Sequence, residues 1–96
     1  MFKDLDPILH SQLRLSIVST LISVKEADFN HIKEITQATS GNISIQIKKL
    51  QDAGYIKVKK SFKNNYPNTT LLLTDKGIEA FETYVDNLKK YINPGK

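Results

Sequence analysis

The chain contains no cysteine. That single absence removes disulfides, thiolate metal sites, thiol redox sensing and cysteine nucleophiles together. Long apolar runs are missing as well, and none approaches the length needed to cross a bilayer. The opening residues, MFKDLDPILH, carry acids where a signal peptide would carry an apolar core, so a cytoplasmic location is expected. The only histidines, His10 and His31, have no spacing that pairs them and no acid cluster beside them. They read as structural or exposed residues, and neither a metal nor a cofactor is expected. No Ser/His/acid constellation, phosphate-cradling glycine loop or paired-carboxylate motif is legible, so an enzyme is not expected. Glu79, Glu82 and Asp86 fall on the outer face of the last helix and read as a solvated surface. Arginine occurs once, at Arg14, which reads as a residue pinning a helix end or pairing with an acid.

What is present suits one small domain spanning residues 1–96. Ninety-six residues, 40% hydrophobic and 25% charged, allow one modest core and argue against disorder. The net charge of +4 is unevenly placed. Between Asn42 and Tyr66 stand Lys48, Lys49, Lys57, Lys59, Lys60 and Lys63 against Asp52 alone, a local excess of five; the remainder has eight basic and nine acidic residues. A lysine-rich stretch is often no more than a solvated face. Segregated on an otherwise neutral domain, it is also the electrostatic footprint of a nucleic-acid binder.

Periodicity divides the chain into four helices and a hairpin. Asp6-Pro7 reads as a helix start, with Leu9, Leu13, Ile17 and Leu21 at steps of four over about 7–24. Ile8, Leu15 and Ile22 occupy the other side of that helix, which is apolar nearly all round and suggests a partner surface. Residues 25–27 suggest a brief edge strand. Asp28 is the cap of a second helix ending near Gln37. A third helix starts at about Ser40, whose hydroxyl is the expected cap, and stops at Gly54. At about 100° per residue, Ile43, Ile47 and Leu50 form its core stripe, while Gly41, Asn42, Ile45, Lys48 and Lys49 lie opposite and Ser44 on one shoulder. Gln46, close to the core stripe, is better placed as a core-edge residue than as a base reader.

The alternation from Tyr55 puts Ile56, Val58 and Phe62 on one face of a strand and Lys57, Lys59, Ser61 and Lys63 on the other, with Lys60 late on the apolar face. NNYPN at 64–68 reads as a long turn, with Tyr66 anchoring it, and 69–73 as the returning strand. Thr74 caps a last helix with a stripe of Ile78, Phe81, Val85, Leu88 and Ile92, flanked by Tyr84 and Tyr91, fraying before Asn93-Pro94-Gly95. A helix with a polar outer face suits a DNA major groove, and a basic hairpin beside it suits the flanking phosphates.

Helix, helix, helix, hairpin, helix is a mainly α arrangement with a small β-hairpin. The stretches LDPILHSQLRLSIV, DFNHIKEIT, TSGNISIQIKKLQDAGYIKVKKSF, PNTTLLLTDKGIEAF and YVDNL make the chain resemble the small single-domain MarR/ArsR-type winged helix-turn-helix transcriptional regulators. The resemblance spans nearly the whole chain; LTDKG alone is a weak signal, the ordered set a more specific one. It implies a helix-turn-helix at about 28–54, a wing at about 55–74 and a C-terminal dimerisation helix at about 75–92. It implies double-stranded DNA as the partner, with the third helix in the major groove through Ser40, Asn42, Ser44, Ile45, Lys48 and Lys49. Lys59, Lys60 and Lys63 on the wing would touch the backbone. Asn64 and Asn65 at its tip would reach a minor-groove edge, although turn formation alone also explains them. A homodimer through the first and last helices is implied, using Ile8, Leu15, Ile22, Phe81, Tyr84, Leu88 and Tyr91. No residue pattern assigns a small-molecule effector. Ile45 departs from the small or polar residue usual at its position. It either meets thymine methyls or marks a protein partner, and the fold serves protein–protein interaction as well as DNA binding.

Overall fold

A computed structural model describes residues 2–93. The elements run α1 (Gln12–Val24), β1 (Glu26–Asp28), α2 (Phe29–Thr36), α3 (Ser40–Asp52), β2 (Ile56–Lys63), β3 (Tyr66–Leu73) and α4 (Asp75–Ile92). The expected order of elements is the observed one. The short edge strand β1 adds to the hairpin, giving an antiparallel sheet in the order β1-β3-β2. One core joins these layers: Leu9, Ile17, Val18 and Leu21 meet Ile32, Ile43, Ile47 and Leu50, and Ala27, Ile56, Leu71 and Tyr84 close it.

Local chemistry accounts for most boundaries. Asp28 caps α2 by accepting from the His31 backbone N–H at 2.9 Å. Gln37 ends α2 in the left-handed region at φ 58°, and the turn that follows delivers the chain to α3. The α3 cap is Thr39, one residue before the expected Ser40: its hydroxyl accepts from the Asn42 N–H at 3.1 Å, which makes Ser40 the first helical residue. At the other end, Gly54 sits at φ 81°, Tyr55 N–H donates to Leu50 and Gly54 N–H to Gln51. That pair of bonds is the Schellman arrangement, which satisfies the last carbonyls of a helix.

Three expectations are corrected. The first helix begins at Gln12, not Pro7. Asp6 does cap locally, accepting from Ile8 N–H at 2.8 Å, but the turn it opens lasts only to about Ser11. Arg14 then donates to the Ile8 carbonyl at 2.6 Å, the acceptor that a continuous helix would give to Gln12 N–H. The hairpin tip is a two-residue turn, Asn64-Asn65, not a long one, because Lys63 already pairs with Tyr66. Both asparagines have positive φ, 53° and 67°, as a type I′ turn requires. Pro67 therefore lies inside β3, opposite Phe62. It occupies a non-hydrogen-bonded site of the ladder, where its missing N–H costs no bond. β1 pairs only with Thr70–Leu72, so that side of β3 is an open edge at Pro67. Finally, Tyr84, expected at a dimer contact, faces inward. It is 4% exposed, deep in the core of its own chain, with its hydroxyl 3.1 Å from His10 Nδ1. Pro94 and Gly95, expected to follow the end of the last helix, lie outside the described residues.

Candidate nucleic-acid interface

The third helix is held by its inner face. Ile43, Ile47 and Leu50 are buried, and the caps at Thr39 and Gly54 fix both ends. The outer face then follows from the helical period: Ser40, Gly41, Asn42, Ser44, Ile45, Lys48 and Lys49 are all exposed. Ile45 is 57% exposed, the one large apolar side chain on that face. Lys48 lies 3.2 Å from Asp52 one turn on, an exposed i,i+4 pair of little energetic weight that leaves its charge accessible. The acid tempers the local field, so Lys49 carries the less compensated charge of the two.

The wing leaves the body directly after this helix. Ile56 is buried at its root and Val58 half-buried, but everything from Lys59 to Pro67 is exposed. Phe62, expected on the apolar face, keeps that face and finds no core beneath it, because the strand has already passed the edge of the body; it is 77% exposed. Tyr66, expected to anchor the loop, is 74% exposed and borders the turn. Lys59, Lys60 and Lys63 project from a two-stranded ribbon whose tip is fixed by Asn64 and Asn65.

The root of the wing is tied down by a cluster that sequence reasoning saw only in pieces. Thr74 caps α4 by accepting from Gly77 N–H at 3.0 Å, and its hydroxyl donates to the Gly54 carbonyl at 2.7 Å. Thr74 N–H donates to the Tyr55 carbonyl at 3.0 Å. Gly77 packs so tightly there that a Cβ would overlap the Tyr55 carbonyl oxygen and press on Leu73. The Tyr55 hydroxyl donates to Asp6, and Lys76 lies 5.8 Å from the centre of its ring. Burial first, then the hydrogen bond to Asp6 and its negative charge, push the Tyr55 phenol up to about 12. The end of α3, the start of β2 and the start of α4 thus share one junction, which sets the wing against the outer face of α3.

Of the expected site residues, the outer face of α3 and the wing lysines lie on exposed surface. The residues expected at a dimer contact divide. Ile22 and Tyr91 are exposed; Ile8, Leu15, Phe81 and Leu88 are half-buried against the core; Tyr84 is consumed by it. Tyr91 already stacks on Phe2, with ring centres 4.8 Å apart, and donates to the Lys3 carbonyl at 2.7 Å. Sequence reasoning missed what Arg14 and Gln46 do together. Among the described residues Arg14 pairs with no acid; it donates to the Ile8 and Pro7 carbonyls and to Gln46 Oε1, the last at 2.5 Å. The signal was there in outline, since Gln46 sits at the edge of the core stripe.

Residues 13–92 match the family model of the winged helix DNA-binding domain. The chain belongs to that family. This winged helix is 33% identical to an uncharacterized protein of Methanocaldococcus jannaschii over 81% of its own length and 85% of the relative's. It superposes on a transcriptional regulator homologue of Pyrococcus horikoshii with a TM-score of 0.83 at 30% identity, covering 88% of this chain and 84% of the other. A MarR protein of Peptoclostridium difficile shares the fold at 18% identity, with a TM-score of 0.67 over 82% of this chain and 51% of that one. The winged-helix reading made from the sequence therefore holds. Among the described residues no helix is long and apolar enough to cross a membrane.

Proposed function

We propose that this winged helix is a cytoplasmic, homodimeric transcriptional regulator that binds double-stranded DNA. One observation carries the reading: the chain's positive excess lies on the exposed face of α3 and on the adjoining wing, where the exposed Lys48–Asp52 pair is its one ion pair among the described residues. Lys48, Lys49 and the wing lysines Lys59, Lys60 and Lys63 neutralise phosphates and set register, since lysine acts as a point charge without the planar fork of arginine. Ser40, Asn42, Ser44 and Ile45 meet base edges in the major groove, Ile45 against thymine methyls. Dimerisation uses the side that α1 and α4 leave open, where Ile22, Ile78 and Phe81 line one shallow groove. A symmetric dimer places two α3 helices about one duplex turn apart and favours an inverted repeat.

Fluorescence anisotropy against duplex DNA tests the reading. With about six to ten phosphates touched per dimer, affinity falls by roughly 10³ to 10⁵ between about 50 and 200 mM salt. Absence of binding at low salt would remove it. The exposed Ile45 favours one second reading, a protein-interaction module that uses the same helix face. Under that reading Ile45→Ala abolishes capture of a stoichiometric protein partner, and the salt-sensitive DNA binding is absent.

A further inference from the structure

Arg14 stands away from the lysine-rich face, yet it reaches that face through two side chains. Its guanidinium is clamped in the N-terminal turn by the carbonyls of Ile8, at 2.6 Å, and Pro7, at 3.5 Å. A third donor goes to Gln46 on α3. A guanidinium has donors and no acceptor, so Gln46 must turn its oxygen toward Arg14. That leaves the Gln46 amide nitrogen for its helical neighbour one turn back, and its Nε2 donates to Asn42 Oδ1 at 2.9 Å. Asn42 in turn has its oxygen occupied and its amino group free, on the exposed face of α3. The amide orientations are thus dictated from one end of the chain of bonds. Reversing any one of them would set donor against donor.

We propose that Arg14 is a positioning residue for base selection: through Gln46 it holds the Asn42 side chain with its oxygen inward and its amino group outward, so that Asn42 presents a donor to the groove. An unrestrained asparagine offers both polarities and turns to suit its partner. A restrained one selects. Asn42 then favours guanine O6 and N7 or thymine O4, and works against an edge whose nearest group is the amino group of cytosine or adenine. This consequence rests on the DNA reading above; the polarity of the bonds within the protein does not.

The discriminating substitution is Gln46→Glu. A carboxylate keeps its partner in Arg14 but has no donor for Asn42, so the Asn42 amide must turn over and present its oxygen outward. In duplexes varied one position at a time, the preference at the Asn42 position moves from acceptor edges to amino-bearing edges by about fivefold to tenfold. The salt dependence keeps its slope, because the same phosphates stay neutralised. Arg14→Met instead flattens the preference at that position while the neighbouring positions keep theirs. Side-chain amide NMR of the free protein follows the same relay without DNA: the Asn42 amide protons shift downfield in Gln46→Glu, where they become donors within the protein. An unchanged base preference with unchanged Asn42 amide signals overturns the proposal, and so does a loss of preference spread evenly over the whole site. If the wild-type protein binds no duplex, it is the DNA reading that fails, and the amide spectra then decide the relay alone.

Discussion

The root and the tip of the wing are built on opposite principles. At the root nearly every polar group is answered. Thr74 bonds to both Gly54 and Gly77, Tyr55 is held through its backbone and its hydroxyl, and Gly77 fits where no Cβ could. At the tip, Lys59, Lys60, Phe62, Lys63 and Tyr66 have nothing beneath them, and the ribbon keeps its shape through one tight turn and its cross-strand bonds. Orientation is fixed where the chain leaves the body, and chemistry is offered where it has left. Substitutions at the root should therefore unfold the protein before they alter binding, and those at the tip should do the reverse.

The sharpest test is Gly77→Ala, which forces a methyl group against the Tyr55 backbone. It should cost about 3 kcal/mol or more, seen as a large drop in melting temperature. A normal melting curve would mean that the junction yields and does not set the wing. Replacing Lys59, Lys60 and Lys63 together by Ala should do the opposite. The melting temperature stays within the range of ordinary surface changes, about 0.5 kcal/mol, while the slope of log affinity on log salt falls by about 0.9 for each phosphate no longer neutralised. Undiminished salt dependence would take the wing out of the interface.

Tyr55→Phe should be milder, costing about 1 kcal/mol near neutral pH by removing the bond to Asp6. Its pH signature is more telling. The folded state holds this phenol protonated up to about 12, against 10.0 for an ordinary tyrosine. The unfolded chain therefore loses the proton first. Stability from Tyr55 is fully present below pH 10 and drains away between 10 and 12. Wild type should lose stability faster than the Phe variant across that window in denaturant titrations, and parallel curves would contradict the assignment. The smallest effect is expected from Asn65→Gly. Relief of a positive-φ asparagine in a type I′ turn should add about 0.5 kcal/mol with no change in DNA affinity. A loss of affinity there would give the tip a role in the groove as well as in the turn.

The parts of the fold that were legible in the sequence are those set by chemistry a few residues wide. Asp28 and Thr74 cap as expected because a side-chain oxygen needs only the N–H three residues on, and Gly54 ends α3 because no other residue takes φ 81° as easily. The core stripe of α3 follows from spacing alone. The misreadings are tertiary. Asp6-Pro7 carries a sound start signal, but Arg14, whose side chain folds back onto the turn, takes the carbonyl on which continuation depends. Pro67 reads as part of a turn, and only the register shows it tucked into a strand. For α4, periodicity marks a broad apolar face without saying which part turns inward. The line through Gly77, Phe81, Tyr84 and Leu88 does so, leaving Ile78 and Ile92 outside. For the candidate site, what was legible is the exposure of the α3 outer face and the wing lysines, because exposed charge needs no partner to be recognised.

Pro67 has an effect that reaches past a single molecule. A protruding β-ribbon is a template on which another copy could add a strand. Along β2, the outer strand, lysines meet lysines when two ribbons approach. Along the open side of β3, Pro67 offers no hydrogen where an incoming strand would need one. The ribbon is thereby shielded from its own kind on both flanks, and can stay extended and unpaired until a different surface arrives.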